Sequence, residues 1–268
     1  MQITVKMEGL DKVLDQLLKL SGPQLHQACA NALNDVAYKL RGDMQAHMKS
    51  VFDSPTPWIT NSPWIEKAKP QDGARMNASI MPTYRRDTPS ATGGKAGVDP
   101  QQVLRAQEAG GPRRDKKSEV ALRQAGVLPG GYQTAIPENP YPGSTDAYGN
   151  IRGAFMQQLL SYLQAFGEQG YKANMTARRK AQIHQGKAGQ SGRHYFVSYG
   201  KLRSGRTSHL APGIWAASGT HGVDVRPVLM FVRNPSYTPR LNIESLYGNN
   251  EDYMAQRLRY RIRQEAGV

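Results

Sequence analysis

The residues of this sequence that most clearly could bind a partner are the basic ones between positions 169 and 223. This segment contains no Asp or Glu, although the whole chain carries 21 of them. Cations without nearby carboxylates can bind the phosphates of nucleic acid or the acidic surface of another protein. They can also belong to a solvated loop that only maintains solubility. The candidate contact residues are Lys172, Arg178, Arg179, Lys180, Lys187, Arg193, Arg203 and Arg206.

Aromatic side chains are interleaved with these cations. Tyr171, His194 and Tyr195 could stack on nucleobases while the cations contact the sugar–phosphate backbone. The sequence has no fingerprint of an RRM, KH, zinc-finger or helix-turn-helix module. Nucleic acid and an acidic protein surface therefore both stay open as partners of this segment.

Patterns typical of catalytic or metal sites are missing from the sequence. With a single Cys no thiolate cluster can form, and none of the six His has HExxH spacing. Residues 92–95 (TGGK) match only a fragment of a phosphate-binding loop, and there is no GxSxG nucleophile elbow. We therefore predict that the protein is not an enzyme and has no catalytic residues, metal or cofactor.

Composition restricts the class of protein further. A hydrophobic content of 38% with 27 Gly and 17 Pro in 268 residues predicts a modest core with long irregular segments. The net charge of +14 indicates a polyanionic neighbour. One Cys excludes a disulfide framework and favours a reducing compartment. No apolar run approaches the ~18 residues of a membrane span, and the first ten residues lack the apolar segment of a signal peptide.

A long amphipathic helix at residues 24–51 is the element expected to organise the fold. Its apolar residues recur every three or four positions and so form one stripe. Pro23 precedes the helix, and Pro55 and Pro57 lie beyond its end, where proline cannot extend a helix. The stripe consists of Leu25, Cys29, Leu33, Val36, Leu40, Met44, Met48 and Val51.

The remaining patterns predict an α+β fold: a small antiparallel sheet packed by the long N-terminal helix and a C-terminal helix, with long Gly/Pro-rich and basic excursions. We expect one domain with a large insertion. Residues 1–83 would form the first part of the core, residues 84–193 an insertion or arm, and residues 194–268 the rest of the core. Further helices are predicted at residues 10–20, 118–124, 152–166 and from 243 to the end, and strands at 2–7, 66–68, 78–81, 195–199, 214–217 and 225–232.

Two details of this prediction concern surfaces. Residues 176–193 have almost no apolar periodicity and are expected to form a mobile or extended arm. In the C-terminal helix, Leu246, Tyr253, Met254, Leu258 and Ile262 should face inward. The outward residues would be Arg257, Arg259, Arg261 and Arg263.

The Pro-rich segment at residues 52–58 is predicted to be rigid and extended. Its aromatic residues could form a lid over one end of the core. Alternatively they could anchor a contact between subunits, because Trp is enriched at interface hot spots. The candidate subunit contacts are Phe52, Trp58, Trp64 and Tyr148.

Several patches of the sequence resemble tailed-phage proteins. Gly9-Leu10-Asp11 and Ala32-Leu33-Asn34 resemble the opening of tail-completion proteins of the minor tail protein Z type. FDSPTPWITNSPWI (52–65) is similar to a narrower set of prophage tail-module proteins. Four further segments resemble the same set of proteins. They are residues 110–131 (GGPRRDKKSEVALRQAGVLPGG), 146–153 (DAYGNIRG), 209–215 (HLAPGIW) and 226–232 (RPVLMFV).

The resemblance implies a structural virion protein that acts in tail completion and head–tail joining. Such proteins assemble as rings at the neck, between the connector below the portal and the tail, and have no catalytic residues. The implied partners are copies of the chain itself, portal or connector and tail proteins, and the exiting genomic DNA, without a membrane. The implied location is the virion neck or tail, with the host cytoplasm during assembly. Alternatives are a tail terminator and a DNA-binding protein that uses residues 172–206.

Overall fold

The computed structural model describes residues 3–5, 22–82, 99–187, 190–219, 222–233, 236–248 and 250–265. Helices and small antiparallel sheets build an α+β structure, as predicted. The chain divides into two compact units. Unit 1 comprises Met1–Gly111 and Tyr237–Val268, and unit 2 is Pro112–Ser236.

The helices and strands are numbered in chain order. The helices are α1 Gly22–Val51, α2 Pro57–Thr60, α3 Pro100–Ala109, α4 Lys117–Gln124, α5 Gly153–Tyr162, α6 Ala177–Gln185, α7 Glu244–Gly248 and α8 Glu251–Glu265. The strands are β1 Ile3–Val5, β2 Pro63–Glu66, β3 Ala78–Pro82, β4 Gly111–Pro112, β5 Tyr132–Ala135, β6 Gly186–Lys187, β7 Gln190–Ser191, β8 Arg193–Ser198, β9 Gly213–Ser218, β10 Asp224–Arg233 and β11 Ser236–Tyr237. Single 3-10 segments occur at Pro70–Arg75, Glu168–Ala173 and Gly200–Leu202. The helix predicted at 10–20 and the loop predicted at 84–98 lie outside the described residues.

The predicted division into one core with an insertion is wrong. Strands β8, β9 and β10 were expected to complete the first core. They instead form a separate four-stranded sheet of order β5-β10-β9-β8 in unit 2. The edge strand β5 comes from the Gly/Pro-rich excursion, where few apolar residues mark it. Unit 2 has its own core, built from residues such as Leu122, Leu159, Ile214 and Val228, which are fully buried.

Unit 1 is organised around α1, and the long helix is confirmed. The predicted stripe is buried except for Val51, which is half-buried. The helix packs against β2 and β3 of an antiparallel sheet ordered β1-β3-β2 and against α8. The lone thiol, Cys29, is buried on this face, and burial raises its pKa.

A side chain of α1 also fixes the chain segment that follows β2. The Asn34 side-chain amide donates to the Ala68 carbonyl oxygen at 3.2 Å, and its Oδ1 accepts from the Ala68 backbone N–H at 2.9 Å. The two bonds satisfy a backbone donor and acceptor outside any strand. Asn34 therefore joins helix and sheet in unit 1.

The C-terminal helical region consists of two helices, and the prediction of its faces is partly wrong. Leu246, Tyr253, Met254, Leu258 and Ile262 pack on the core of unit 1, as expected. Arg257 and Arg261 do not point into solvent. Arg257 donates to Asp35 Oδ2 from Nε at 2.9 Å and from Nη2 at 2.6 Å. Arg261 donates to Oδ2 from Nε at 2.7 Å and to Oδ1 from Nη2 at 2.8 Å.

This cluster fastens α8 to α1. The hydrogen bond from Arg261 is the largest influence on Asp35 and lowers the pKa of its carboxyl, with burial opposing and Arg257 assisting. None of the residues of α8 is fully buried. Charge-assisted bonds of this kind contribute more than neutral ones. The helix therefore depends on Asp35 as well as on its half-buried apolar side.

We predict that Asp35→Asn loosens α8 and lowers the free energy of unfolding of unit 1 by about 2 kcal/mol, because two arginines lose their charged acceptor. Hydrogen exchange of the α8 amides, followed by mass spectrometry, should become faster. Asp53→Asn is the matched control, since Asp53 is exposed. Equal exchange of α8 in both variants would contradict the role of Asp35.

Unit 2 contains a buried carboxylate at the start of α4. Glu119 is fully buried. Its two oxygens accept from the Arg113 guanidinium at 2.6 and 2.8 Å and from the Lys116 backbone N–H at 2.7 Å. They also accept from the Thr134 backbone N–H at 2.7 Å and its hydroxyl at 2.8 Å. Glu119 thus joins α4 to β5 and, through β5, to the sheet.

The ionised form of Glu119 is strongly favoured in the folded protein. Burial alone would raise the pKa of this carboxyl. The hydrogen bonds from Arg113, Thr134 and Lys116 outweigh it and lower the pKa to about 2. We predict that Glu119→Gln destabilises unit 2 by about 3–5 kcal/mol, because the Arg113 guanidinium loses its charged partner in a largely buried site. Glu138→Gln, at an exposed position of the same unit, should change stability by less than about 0.5 kcal/mol.

The same carboxylate should make unit 2 sensitive to acid. The unfolded chain takes up the proton first, since the pKa of an unfolded Glu is about 4.3. The contribution of Glu119 is complete above about pH 5 and is lost as the pH falls towards 2. Urea unfolding at several pH values can be followed by Trp215 fluorescence after Trp58 and Trp64 are changed to Phe. An equal loss of stability in acid with and without Glu119→Gln would contradict this assignment.

Candidate anion-binding pocket

Unit 2 contains a pocket of about 1130 Å³ lined by three of the predicted cations. Lys172, Arg179 and Arg193 reach it from three different segments of the chain: the 3-10 segment after α5, helix α6 and the start of β8. No Asp or Glu is among the described residues that line it. Within the described residues, the pocket therefore concentrates positive charge without a counter-charge.

The segment predicted to be an arm is packed in the structure. The described residues between 176 and 193 include α6 and the paired strands β6 and β7, and α6 packs against β8. The Thr176 hydroxyl accepts from the Arg179 backbone N–H at 3.4 Å and caps the helix. Ile183 packs on the core of unit 2. One large apolar residue, Ile183, gives too little periodicity to detect such a helix, so the prediction failed.

A tight loop between α5 and α6 positions Lys172. The Asn174 side chain donates to the Phe166 carbonyl oxygen at 2.8 Å and accepts from its N–H at 3.1 Å. The Ser161 hydroxyl donates to the Ala173 carbonyl oxygen at 2.5 Å. Gln164, which has a φ of 58°, donates to the Met175 carbonyl oxygen at 2.9 Å. These bonds hold this wall of the pocket in one conformation.

Arg193 is oriented by a buried tyrosine. Its Nε donates to the Tyr195 hydroxyl at 2.9 Å. The Tyr195 side chain is only 5% exposed and makes edge contacts with the rings of Tyr162 and Phe155 at 5.0 and 6.0 Å. Burial is the main reason that the pKa of Tyr195 is raised. With Nε occupied and the tyrosine fixed, the outer nitrogens of the guanidinium are left to bind an anion.

The structure does not bring the other predicted cations into this pocket. Lys180 lies over the ring of Tyr162 at 5.0 Å, and Arg203 lies over Tyr199 at 4.3 Å. Arg178 and Arg206 are exposed elsewhere. Of Lys187 only the backbone, in β6, is described. No salt bridge within the described ranges uses Lys172, Arg178, Arg179, Lys180, Arg193, Arg203 or Arg206.

The predicted base-stacking residues differ in accessibility. Tyr195 is buried and cannot stack on a base, which corrects the prediction. Its alternation in β8 places it on the covered face, a feature that the sequence left ambiguous because both neighbours are aromatic. His194 is exposed, and its ring lies 6.0 Å from that of His184. The Tyr171 side chain lies outside the described part of the chain.

The predicted subunit contacts are also divided. Phe52 packs on the core of unit 1, and Trp58 and Trp64 are half-buried. These positions agree with the lid interpretation. Tyr148 is 43% exposed in a turn where Asp146 accepts from two backbone N–H groups. It is the one of the four that presents a large aromatic surface to solvent.

The polar side chains that complete the pocket had no signal in the sequence. Gln157 and Gln158 of α5 and Gln182 of α6 line it together with Asn174. Their convergence on one pocket depends on the tertiary placement of α5, α6 and the segment between them, which residue spacing does not reveal. Glu119 likewise has no signal in the sequence, and nothing in the spacing of Asp35 predicts its partners.

We predict that Ile183→Asp destabilises unit 2 by about 1–3 kcal/mol, because the charge would replace an apolar side chain that packs on its core. Gln182→Asp, at an exposed position one residue earlier, should have a much smaller effect. Thermal unfolding of both variants measures the difference. If both variants melt with the wild type, α6 is not packed on the core.

Comparison of the chain with protein-family models, curated proteins and solved structures finds no match. Among the described residues, no group of three His, Cys, Asp or Glu side chains could bind a metal ion together. None of the described helices combines the length and apolar character needed to cross a membrane.

Proposed function

We propose that the protein is a structural virion protein of a tailed bacteriophage. It would complete the tail and join it to the head by assembling as a ring at the neck, without catalysis. The observation that carries the proposal is the basic pocket of unit 2, whose cations face no carboxylate in the described part of the chain. Such a surface is suited to an anionic neighbour, and the sequence patches that resemble tail-module proteins indicate which kind of assembly supplies it.

These patches contain residues that stabilise the fold. Such a role suits a protein that acts by assembly and not by catalysis. Residues 52–65 contain α2 and most of β2 and cover part of the core of unit 1. Residues 110–131 contain Arg113 and Glu119, the buried ion pair of unit 2. In residues 209–215, Gly213 lies so close to β10 that an added Cβ would be 2.5 Å from the Leu229 carbonyl oxygen. Residues of these patches therefore stabilise the fold of each of the two units.

The proposed partners are copies of the chain in a ring, the portal or connector and the tail proteins. The proposed location is the neck or tail of the virion, with assembly in the host cytoplasm. In this arrangement the basic surface meets acidic surfaces of neighbouring subunits. Complementary charge of this kind fixes the orientation of partners and accelerates association.

A DNA-binding protein is the second candidate, supported by the exposed Arg178, Arg203 and Arg206. These cations lie outside the pocket and are free of salt bridges within the described ranges. A tail terminator is a third candidate and differs from a completion protein only in its place in the virion.

Electron microscopy of particles produced without the protein tests the proposal. We expect complete heads and tails that fail to join, because the ring between them is missing. Tails of uncontrolled length would favour a terminator, and joined particles of normal appearance would refute a role at the neck. Supplying the protein in trans is the control and should restore joined particles.

Duplex binding by the purified protein tests the second candidate. Under the structural proposal, the wild-type protein should show no strong, salt-sensitive affinity for duplex DNA. Replacing Arg178, Arg179 and Lys180 together by Ala should therefore change DNA binding little. If the wild type binds duplex DNA tightly, and the triple variant loses that affinity while the ring still assembles, DNA binding takes priority.

A further inference from the structure

We infer that the pocket of unit 2 binds an acidic peptide segment of a neighbouring subunit, with Arg179 and Arg193 receiving its carboxylates. This inference rests on the proposed function, which supplies a protein neighbour. It adds the chemical class of the ligand and the residues that recognise it.

The orientation of Arg193 supports a carboxylate ligand. Its Nε is held by the Tyr195 hydroxyl at 2.9 Å, so the guanidinium is fixed before any ligand arrives. Arginine binds carboxylates through two parallel N–H groups, and a fixed fork loses little conformational entropy on binding. Arg179 and Lys172 line the same pocket and can neutralise further acidic side chains.

The shape of the pocket favours a peptide over a DNA duplex. Its volume of about 1130 Å³ lies just above the roughly 300–1,000 Å³ of small-molecule pockets, so it has room for a short stretch of peptide. A duplex presents its phosphates on a convex surface, and its own grooves receive protein elements. A concave pocket with three cations therefore matches a chain that enters it, not a duplex that rests on it.

The lining also favours a peptide over single-stranded nucleic acid. Phe166 is the one aromatic residue among the described residues that line the pocket, whereas single-strand binding sites stack successive bases on several aromatic rings. Gln157, Gln158 and Gln182 carry amides for which no hydrogen bond is found within the described ranges, and such groups can pair with a peptide backbone. Ile183 adds an apolar side chain to the lining.

The test uses the full chain and a fluorescein-labelled peptide of alternating Glu and Leu. Fluorescence anisotropy should show binding that weakens as salt is added. In the double variant Arg179→Gln/Arg193→Gln the affinity should fall by at least about tenfold, because two charge-assisted contacts are lost. The matched control is Arg203→Gln/Arg206→Gln, which removes the same charge outside the pocket and should change the affinity by less than about twofold.

Equal losses in the two double variants would show binding to the net charge alone and would overturn the inference. So would a wild-type chain that binds the peptide no better than its Gln–Leu counterpart. Labelled oligothymidine is measured in parallel. If it binds more tightly than the peptide and depends on Arg179 and Arg193, the pocket takes single-stranded nucleic acid and the peptide assignment is wrong.

Folding is checked by thermal unfolding, since Arg193 contacts Tyr195. If the first variant melts early, Lys172→Gln/Arg179→Gln replaces it, because both side chains are exposed. If particles produced without the protein fail to join but the protein does not bind the peptide, only this inference is refuted. Normally joined particles would refute the neck function whatever the peptide assay shows.

Discussion

The buried carboxylate of Glu119 is the interaction on which unit 2 depends. It satisfies the guanidinium of Arg113 and the backbone of β5, so the first turn of α4 and an edge strand of the sheet share one anion. A buried charge is tolerated only when such partners surround it. Because β5 comes from a stretch rich in Gly and Pro, few apolar contacts could replace this bond. Strand β8, which carries Arg193, belongs to the same sheet as β5 and therefore also depends on Glu119.

Unit 1 uses an acidic residue in a comparable way. Asp35 gathers Arg257 and Arg261, and a second cluster brings Lys39 within 2.8 Å of Asp43 and 2.7 Å of Asn250. Two carboxylates of this basic chain, Asp35 and Asp43, are thus engaged where α1 meets the C-terminal segment. The cations of residues 169–223 have no such partner within the described ranges, which leaves their charge available at the surface. The cations of residues 169–223 differ in this way from those of unit 1 because their segment contains no Asp or Glu.

Sequence patterns predicted the features of the fold that depend on local periodicity. The stripe of α1 was readable because its apolar residues recur over many turns, and the α+β class followed from the alternation of helix and strand patterns. The apolar residues of helix α3 do not distinguish a helix from a strand, although Asp99, which caps it by accepting from the Gln101 N–H at 2.9 Å, is a readable start signal. Of the pocket, the cations were predicted, but their convergence was not. That convergence, like the pairing of Asp35 with Arg257, depends on packing between distant segments, and no local pattern encodes it.

The discontinuous make-up of unit 1 has a consequence for synthesis on the ribosome. Unit 2 is continuous in sequence and can fold as soon as it emerges, whereas α8 is translated only after it. Until then α1 lacks the helix that covers part of its apolar stripe, and Asp35 lacks both arginines. A nascent chain in this state exposes apolar surface for the whole time needed to make unit 2, which invites aggregation or capture by chaperones. The yield of soluble protein should therefore be set by how well the cell protects α1 during translation.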